Sequence, residues 1–366
     1  MKEFSRIAIV LALSLTLLLP GLAACTPTQS PATTGPAGAP TTTASPATQV
    51  AVQKIQFTGV YHSSQAEVGA YFVWTNFLNQ VKERSGGKIE IISKGGSEVF
   101  APPELLNKCK GGLVDVVLAP AAYWAATVPE LGYDGLPYEV DWDGLPTLMD
   151  ATRPTISGVY DKQGTVFVAN IYPAGSFVIA SRAPVRKMED LKGMTLRGHG
   201  LMPAILIESL GGSAAVMPSA EVVGALERGV VNGLMATPPL LRDFKVWDLG
   251  VKYVADYELA FAFASNIVMS KNAFNKMSPE LQKTFMGIAK DIEKEMTTYW
   301  KGQEATIVSD LKARGITFYT LPPDEAARWR QATVARAIPT FMGTKGIDQA
   351  SAKQLTDLLS TKWVKK

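Results

Sequence analysis

Short apolar runs rich in β-forming residues alternate with segments of helical periodicity over residues 52–269. The first run, at 54–57, precedes a segment at 65–84 in which Val68, Phe72, Thr75, Leu78 and Val81 recur at helical spacing. The same pattern predicts strands at 88–92, 114–118, 165–171, 177–180 and 194–196, and helices from Pro102-Pro103, over 202–210 and over 219–228. Strands and helices that alternate in this way predict an α/β fold with central sheets.

One long helical pattern opens the C-terminal third. Ser278-Pro279-Glu280 combines a hydroxyl cap, a proline at the first helical position and an acid in the first turn. Apolar residues then recur as far as Gly315: Leu281, Phe285, Ile288, Ile292, Met296, Tyr299 or Trp300, Ile307 and Leu311. A helix of about 36 residues would be roughly 50 Å long, which suits a coiled-coil arm or a strut across two domains. The aromatic residues and the imperfect heptad favour the strut.

The first 25 residues have the pattern of a targeting signal. Lys2 and Arg6 precede an apolar run over 7–19, and Leu22-Ala23-Ala24-Cys25 looks like a bacterial lipobox. In that motif cleavage precedes Cys25 and its thiol is lipidated, so we predict a lipid-anchored, extracytoplasmic protein. The alternative is an ordinary signal peptide, or an uncleaved anchor, with an incidental cysteine.

Residues 26–50 are predicted to be a disordered linker. From 26 to 49 the chain is rich in Pro, Thr, Ala, Gly and Ser and has neither an aromatic nor a charged residue. Such a segment buries too little apolar surface to offset its ordering entropy. The folded part therefore begins near Val50.

Composition and motifs exclude several kinds of function. The 366 residues include 36 Lys plus Arg and 33 Asp plus Glu, for a net charge of +3, which argues against a nucleic-acid partner. With two His and two Cys, the chain has few donors for a metal site and too few cysteines for a disulfide framework. The sequence contains no nucleophile elbow, no HExxH motif and no phosphate-binding loop. It therefore lacks the motifs that would indicate an enzyme or a bound cofactor. Cys109 is predicted to be a buried free thiol on a helix.

Residues 190–233 match a known pattern in order, spacing and residue type. Its blocks are DLKGMTLR at 190–197, LGG at 210–212, VMPSAEV at 216–222 and ALERGVVNG at 225–233, with GGLVDV at 111–116 and LPY at 136–138 upstream. These blocks resemble the solute-binding proteins of tripartite ATP-independent periplasmic (TRAP) transporters, of the dicarboxylate-binding (DctP) type. The resemblance implies a two-domain clamshell with hinge strands and a strut helix, which closes on a small organic acid and delivers it to the permease subunits.

In that clamshell, residues 51–178 and 263–302 are expected to form domain I, and residues 179–262 and 303–366 domain II. Rotation of the domains is expected about strands near 176–180 and 262–268. The resemblance implies no cofactor and no reaction. A lipid-anchored sensor or scaffold ectodomain with the same clamshell remains the alternative, because one fold serves both uses.

Arg197 occupies the place of the family's ligand contact, an arginine that binds the substrate carboxylate through two prongs. A guanidinium is always charged and matches a carboxylate with two parallel donors. At a strand's carboxyl end it would face the cleft. The alternatives are a solvated arginine and an ion pair with Asp190. Arg182 is the expected position of a second cleft arginine, although it also suits a surface turn before Pro184.

Further ligand contacts are expected from residues that follow strands. Tyr61 and His62 follow the first strand, and Tyr123 and Trp124 lie beyond another strand end, with structural packing as the alternative for each. After Asn232-Gly233 the family often has a Glu, whereas LMATPP occupies 234–239 here. That departure counts against hydroxyl-rich substrates and calcium-bridged binding. Met235 and Thr237 are instead expected to line the cleft and to favour a less polar acid.

Overall fold

The computed structural model of the protein describes residues 54–364. The predicted signal at 1–25 with Cys25, and the whole of the linker predicted at 26–50, lie outside the described residues. The strands are β1 Ile55–Tyr61, β2 Ile89–Ser93, β3 Val116–Pro120, β4 Glu139–Val140, β5 Thr165–Asn170, β6 Gly175–Ser176, β7 Val178–Ser181, β8 Thr195–Gly198, β9 Ser213–Val216, β10 Gly233–Ala236, β11 Tyr253–Asp256, β12 Phe261–Ala262, β13 Ser265–Ser270, β14 Thr317–Thr320 and β15 Lys362–Trp363.

Helices alternate with these strands and then dominate the C-terminal part. The helices are α1 Val68–Arg84, α2 Leu105–Lys110, α3 Leu145–Lys162, α4 Leu201–Ser209, α5 Val222–Glu227, α6 Pro238–Asp243, α7 Lys271–Phe274, α8 Pro279–Ala313, α9 Pro323–Met342 and α10 Gln349–Asp357. The α/β class and the central sheets are therefore confirmed. A buried free Cys109 on α2 also agrees with the prediction.

The fold is built on two sheets. The first has the strand order β2-β1-β3-β13-β5, with β13 antiparallel to both of its neighbours and the rest parallel. The second has the order β14-β11-β7-β10-β8-β9, in which β7 is antiparallel to β10 and β11. We call the first sheet with α1, α2 and α3 the first lobe, and the second sheet with α4, α5 and α6 the second lobe.

Two neighbouring strand segments cross between the sheets. One runs from β5 through β6 into β7, and the other returns from β11 through β12 into β13. Residues of β6 and β12 pair as an antiparallel ladder, Ser176 with Phe261 and Gly175 with Ala262. These crossings include the segments expected to act as the hinge. Rotation about them stays a prediction.

Helix α8 is the predicted strut. It has 35 residues, and the Ser278 side chain accepts a hydrogen bond from the Leu281 N–H at its first turn. It packs against α1 and β5 of the first lobe and against α6 of the second, which excludes the coiled-coil arm. Trp300 is 3% exposed and Tyr299 is 39% exposed, so Trp300 is the residue of that pair that faces the core.

Two details differ from the sequence expectation. Val68 was expected on the buried face of α1 but is 56% exposed, because the core takes the face that includes Val73, Trp74 and Phe77. The C-terminal α10 packs against α3 of the first lobe, although residues 303–366 were expected in domain II. The predicted domain boundaries themselves stay a prediction.

A buried carboxylate fixes α8 to the first lobe. Glu293 is 2% exposed and accepts hydrogen bonds from Arg153 Nη2 at 2.6 Å and from the Asn170 N–H at 2.8 Å. Lys290 Nζ lies 3.0 Å from its Oε1. One side chain thereby joins the strut to α3 and to the end of β5.

Glu293→Gln is expected to lower the free energy of unfolding by about 3 kcal/mol, because it removes the buried carboxylate that pairs with Arg153 and leaves only the exposed Asp150, whose Oδ1 lies 3.9 Å from the Arg153 Nε. Glu295→Gln is the matched control on the same helix, since Glu295 pairs with Arg84 at the surface and should cost less than about 1 kcal/mol. Urea unfolding of both variants tests this expectation. Equal stability losses in the two variants would contradict it.

Candidate ligand-binding site

The candidate site is a cavity where strands of both sheets end. Residues after the ends of β1, β3 and β5 meet residues at or after the ends of β8, β9 and β10. Polar side chains reach this edge because the carboxyl ends of these strands converge there. The cavity wall consists of His62, Glu67, Pro120, Tyr123, Asp134, Tyr172, Ala174, Phe177, Arg197, His199, Ser219, Thr237, Leu240, Ala262 and Ser265.

Arg197 is a buried cation in this wall. It lies in β8 and is 1% exposed. Its Nε donates to the Met217 carbonyl at 3.0 Å, and its Nη2 lies 3.5 Å from the Tyr123 hydroxyl oxygen. No carboxylate oxygen of residues 54–364 lies within 4.0 Å of the guanidinium. The alternative ion pair does not form, because Asp190 accepts backbone N–H groups of its own loop.

Tyr123 and Glu67 join the lobes across the cavity. Tyr123 belongs to the first lobe, and its hydroxyl oxygen accepts the Ser219 N–H of the second lobe at 3.0 Å. The Ser219 hydroxyl donates to Glu67 Oε2 at 2.7 Å. A further bond between the lobes runs from the Gly69 N–H of α1 to Asp243 of α6 at 2.8 Å. These hydrogen bonds connect the two lobes directly.

Glu67 is an ionised carboxylate in the cavity wall. It is 3% exposed, it lies 3.4 Å from His62 Nε2, and it accepts a 2.5 Å hydrogen bond from Ser63. Burial alone raises the pKa of Glu67. The charge interaction with His62 and the hydrogen bonds from His62, Ser63 and Ser219 outweigh burial and lower the pKa from 4.5 to about 2.

Several buried polar atoms of the wall have no hydrogen-bond partner within the described chain. They are His62 Nδ1, the Tyr172 hydroxyl and both ring nitrogens of His199. His199 Nε2 is 3.6 Å from Asp134 Oδ2, which is too long for a hydrogen bond. Burial lowers the pKa of His199, so its ring is neutral at pH 7. The ring lies over Phe177 with 4.7 Å between centroids.

Four of the residues predicted from sequence meet in this cavity: Arg197, His62, Tyr123 and Thr237. The other four lie elsewhere. Arg182 donates to the carbonyls of Leu226 and Leu249, so its guanidinium is used inside the second lobe. Tyr61 stacks on Trp74, Trp124 donates to the Pro102 carbonyl, and Met235 belongs to the core beneath the second sheet. Binding of a ligand by any of the eight stays a prediction.

Sequence reasoning missed Glu67, Ser219 and Tyr172. Ser219 lies inside the quoted VMPSAEV block, so that block contained the signal. Glu67 and Tyr172 lie in loops whose residue types alone do not distinguish a cavity wall from a surface.

Across residues 54–364, no group of His, Cys, Asp and Glu is placed to hold a metal ion. In the same range no helix is long and apolar enough to cross a membrane.

Two lobes joined by crossing strands, with a polar cavity between their strand ends, define a class of ligand-binding protein. The model of the family described as bacterial extracellular solute-binding protein, family 7 (DctP), matches residues 60–337. The chain belongs to this family, the solute-binding proteins of TRAP transporters, which are receptors for small organic acids rather than enzymes. Proteins of this kind work with a membrane permease. The family inferred from sequence is thus confirmed.

Individual relatives are distant. The uncharacterized protein YiiZ of Salmonella typhimurium is 26% identical over 253 residues, which cover 67% of this chain and 76% of YiiZ. The 2,3-diketo-L-gulonate-binding periplasmic protein YiaO of Escherichia coli is 21% identical over 274 residues, 74% of this chain and 82% of YiaO. The crystal structure of DctP7, a Bordetella pertussis solute receptor binding pyroglutamic acid, superposes with a TM-score of 0.74 at 23% identity over 84% of this chain and 100% of DctP7. That likeness shows the fold.

The depressed pKa of Glu67 predicts acid sensitivity. A folded-state pKa of about 2 against 4.5 means that the ionised group's stabilisation is present above about pH 4.5 and lost as the pH falls towards 2. Ionisation of Glu67 therefore contributes about 3 kcal/mol to the free energy of unfolding at neutral pH, at about 1.4 kcal/mol per pKa unit. Glu67→Gln should therefore lose less stability than the wild type between pH 4.5 and 2.

Urea unfolding over this pH range measures the effect. Ser219→Ala serves as the second variant, because removing one hydrogen bond moves the Glu67 pKa back towards 4.5. An acid-induced loss as steep in Glu67→Gln as in the wild type would show that Glu67 is not the group responsible.

Proposed function

We propose that this protein captures a small organic acid by pairing the acid's carboxylate with Arg197 in the cavity between the lobes, and that it delivers the acid to a TRAP permease. The observation that carries the proposal is the buried guanidinium without a carboxylate partner among the described residues. A buried charge costs several kcal/mol unless it is paired. A ligand carboxylate would provide that partner and match the planar fork of donors.

Closure of the lobes would complete the capture. The bonds from Ser219 to Tyr123 and to Glu67 form only when the second lobe meets the first. The paired segments β6 and β12 are the natural place for the required rotation. An acid that touches both lobes favours the closed state by its differential affinity for it. The permease would then recognise the closed shape.

Other features agree with a carboxylate ligand. DctP7 binds pyroglutamic acid and YiaO binds 2,3-diketo-L-gulonate, and both compounds carry one carboxylate beside neutral oxygen groups.

The lipobox at 22–25 supports a protein held at the membrane by a lipid on Cys25. That anchor would keep the receptor close to its permease.

Arg197→Gln is expected to weaken binding of the best acid by about 100-fold or more, because the charge-assisted pair with the carboxylate is lost. Isothermal titration of the purified protein measures this, after a thermal-shift panel of pyroglutamate, 2,3-diketogulonate, lactate, pyruvate, succinate and succinamate has selected the acid. Arg182→Gln is the matched control. It removes an arginine that lies outside the cavity wall, so affinity of the folded variant should stay within about threefold of the wild type.

Unchanged affinity in Arg197→Gln would contradict the proposal. Loss of affinity in both variants, with both folded by circular dichroism, would show that the two arginines act together and that the cavity assignment is wrong.

A further inference from the structure

Among the described residues, the cavity wall has only one arginine or lysine side chain with which a ligand carboxylate could pair. Arg197 is the one Arg or Lys side chain among its lining residues, all of which lie within the described chain. Glu67 and Asp134 contribute carboxylates to the same wall. His62 Nε2 lies 3.4 Å from Glu67 Oε1, so this ring already has a carboxylate partner. The neutral ring of His199 offers no second cation.

A second carboxylate on the ligand would therefore be buried without a partner. Arg197 can hold one carboxylate through two parallel bonds. The other end of a diacid would meet acidic side chains and lose its hydration. Desolvation without pairing strongly opposes binding of a charged group.

Neutral hydrogen-bonding groups on the ligand, unlike a second carboxylate, would find partners in the cavity wall. The Tyr172 hydroxyl, His62 Nδ1 and the two nitrogens of His199 are buried in the wall and unpaired within residues 54–364. A ligand hydroxyl, keto or amide group can satisfy such atoms, and leaving them unpaired is costly. These positions favour a ligand that is polar but uncharged away from its carboxylate.

Size and apolar surface restrict the ligand further. The apolar part of the wall consists of Phe177, Leu240, Ala174, Ala262 and Pro120, and the cavity has a volume of about 60 Å³. A short or cyclic carbon skeleton suits this space. A long acid would need the lobes to remain open.

We propose that this cavity selects small monocarboxylates that carry a neutral hydrogen-bonding group and rejects dicarboxylates, with Glu67 as the residue that excludes the second negative charge. The inference rests on the proposed function, because Arg197 must first take the one carboxylate. It narrows the ligand beyond the mono- or dicarboxylate that the sequence allows.

Isosteric pairs of acids test the selection without knowledge of the natural ligand. Succinamate and succinate, malonamate and malonate, and glutaramate and glutarate each differ by an amide nitrogen in place of a carboxylate oxygen. Titration calorimetry of the wild-type protein at pH 7.5 is expected to show at least one half-amide binding about 30-fold or more tighter than its diacid. A diacid that binds as tightly as its half-amide overturns the inference, and so does a failure of all three half-amides to bind.

Variants then assign the selection to Glu67. Glu67→Gln should bring the diacid's affinity about tenfold closer to that of the half-amide, because it removes a nearby negative charge. Asp134→Asn is the second variant, in case Glu67→Gln folds poorly, and should change the ratio in the same direction. Glu130→Gln is the control, since Glu130 is also buried but bonds to the Asp348 N–H away from the cavity, and its ratio should equal that of the wild type. An unchanged ratio in folded Glu67→Gln overturns the assignment to Glu67; if that variant does not fold, an unchanged ratio in Asp134→Asn overturns charge exclusion by the acidic side of the wall.

The two proposals fail in different ways. If half-amide and diacid bind equally and Arg197→Gln abolishes both, charge selection is wrong and the carboxylate clamp stands. If either compound binds Arg197→Gln as tightly as the wild type, the clamp itself is wrong.

Discussion

The guanidinium of Arg197 is out of water and contacts only a carbonyl and a phenol oxygen within the described chain. Such a charge is costly to bury, and the rest of the fold provides the stability that tolerates it. Its neighbours are neutral donors and acceptors rather than a carboxylate that would neutralise it. In the proposed function, the carboxylate of the ligand takes this pairing position. The cavity lies where β8 ends, and Arg197 is part of its wall.

The topology brings the partners of that arginine together. The two crossing segments connect the sheets so that strand ends of both lobes face one space. Tyr123 and Glu67 from the first lobe then meet Ser219 from the second. The long α8 packs on both lobes and is fixed to the first through Glu293. In the proposed function, closure and ligand contact involve the same small set of side chains, which would couple binding to shape.

Sequence reasoning recovered what periodicity and motifs encode. The length of α8 followed from its cap and its apolar repeat, and Arg197 followed from the DLKGMTLR block at a strand end. Arg182 was expected in the cleft, because the sequence around an arginine after a strand does not show whether its guanidinium binds a ligand or backbone carbonyl oxygens. The carbonyls of Leu226 and Leu249 that bind it are distant in sequence. Glu67 was missed for the same reason, since its partner Ser219 is 152 positions away.

The proposed pairing of Arg197 with a ligand carboxylate can be observed directly. A crystal structure of the protein with the tightest-binding monocarboxylate of the panel tests it most directly. We expect both carboxylate oxygens about 2.8 Å from nitrogens of the Arg197 guanidinium, with the Ser219 bonds to Tyr123 and Glu67 in place. A carboxylate bound elsewhere, with Arg197 still contacting only Met217 and Tyr123, would contradict it.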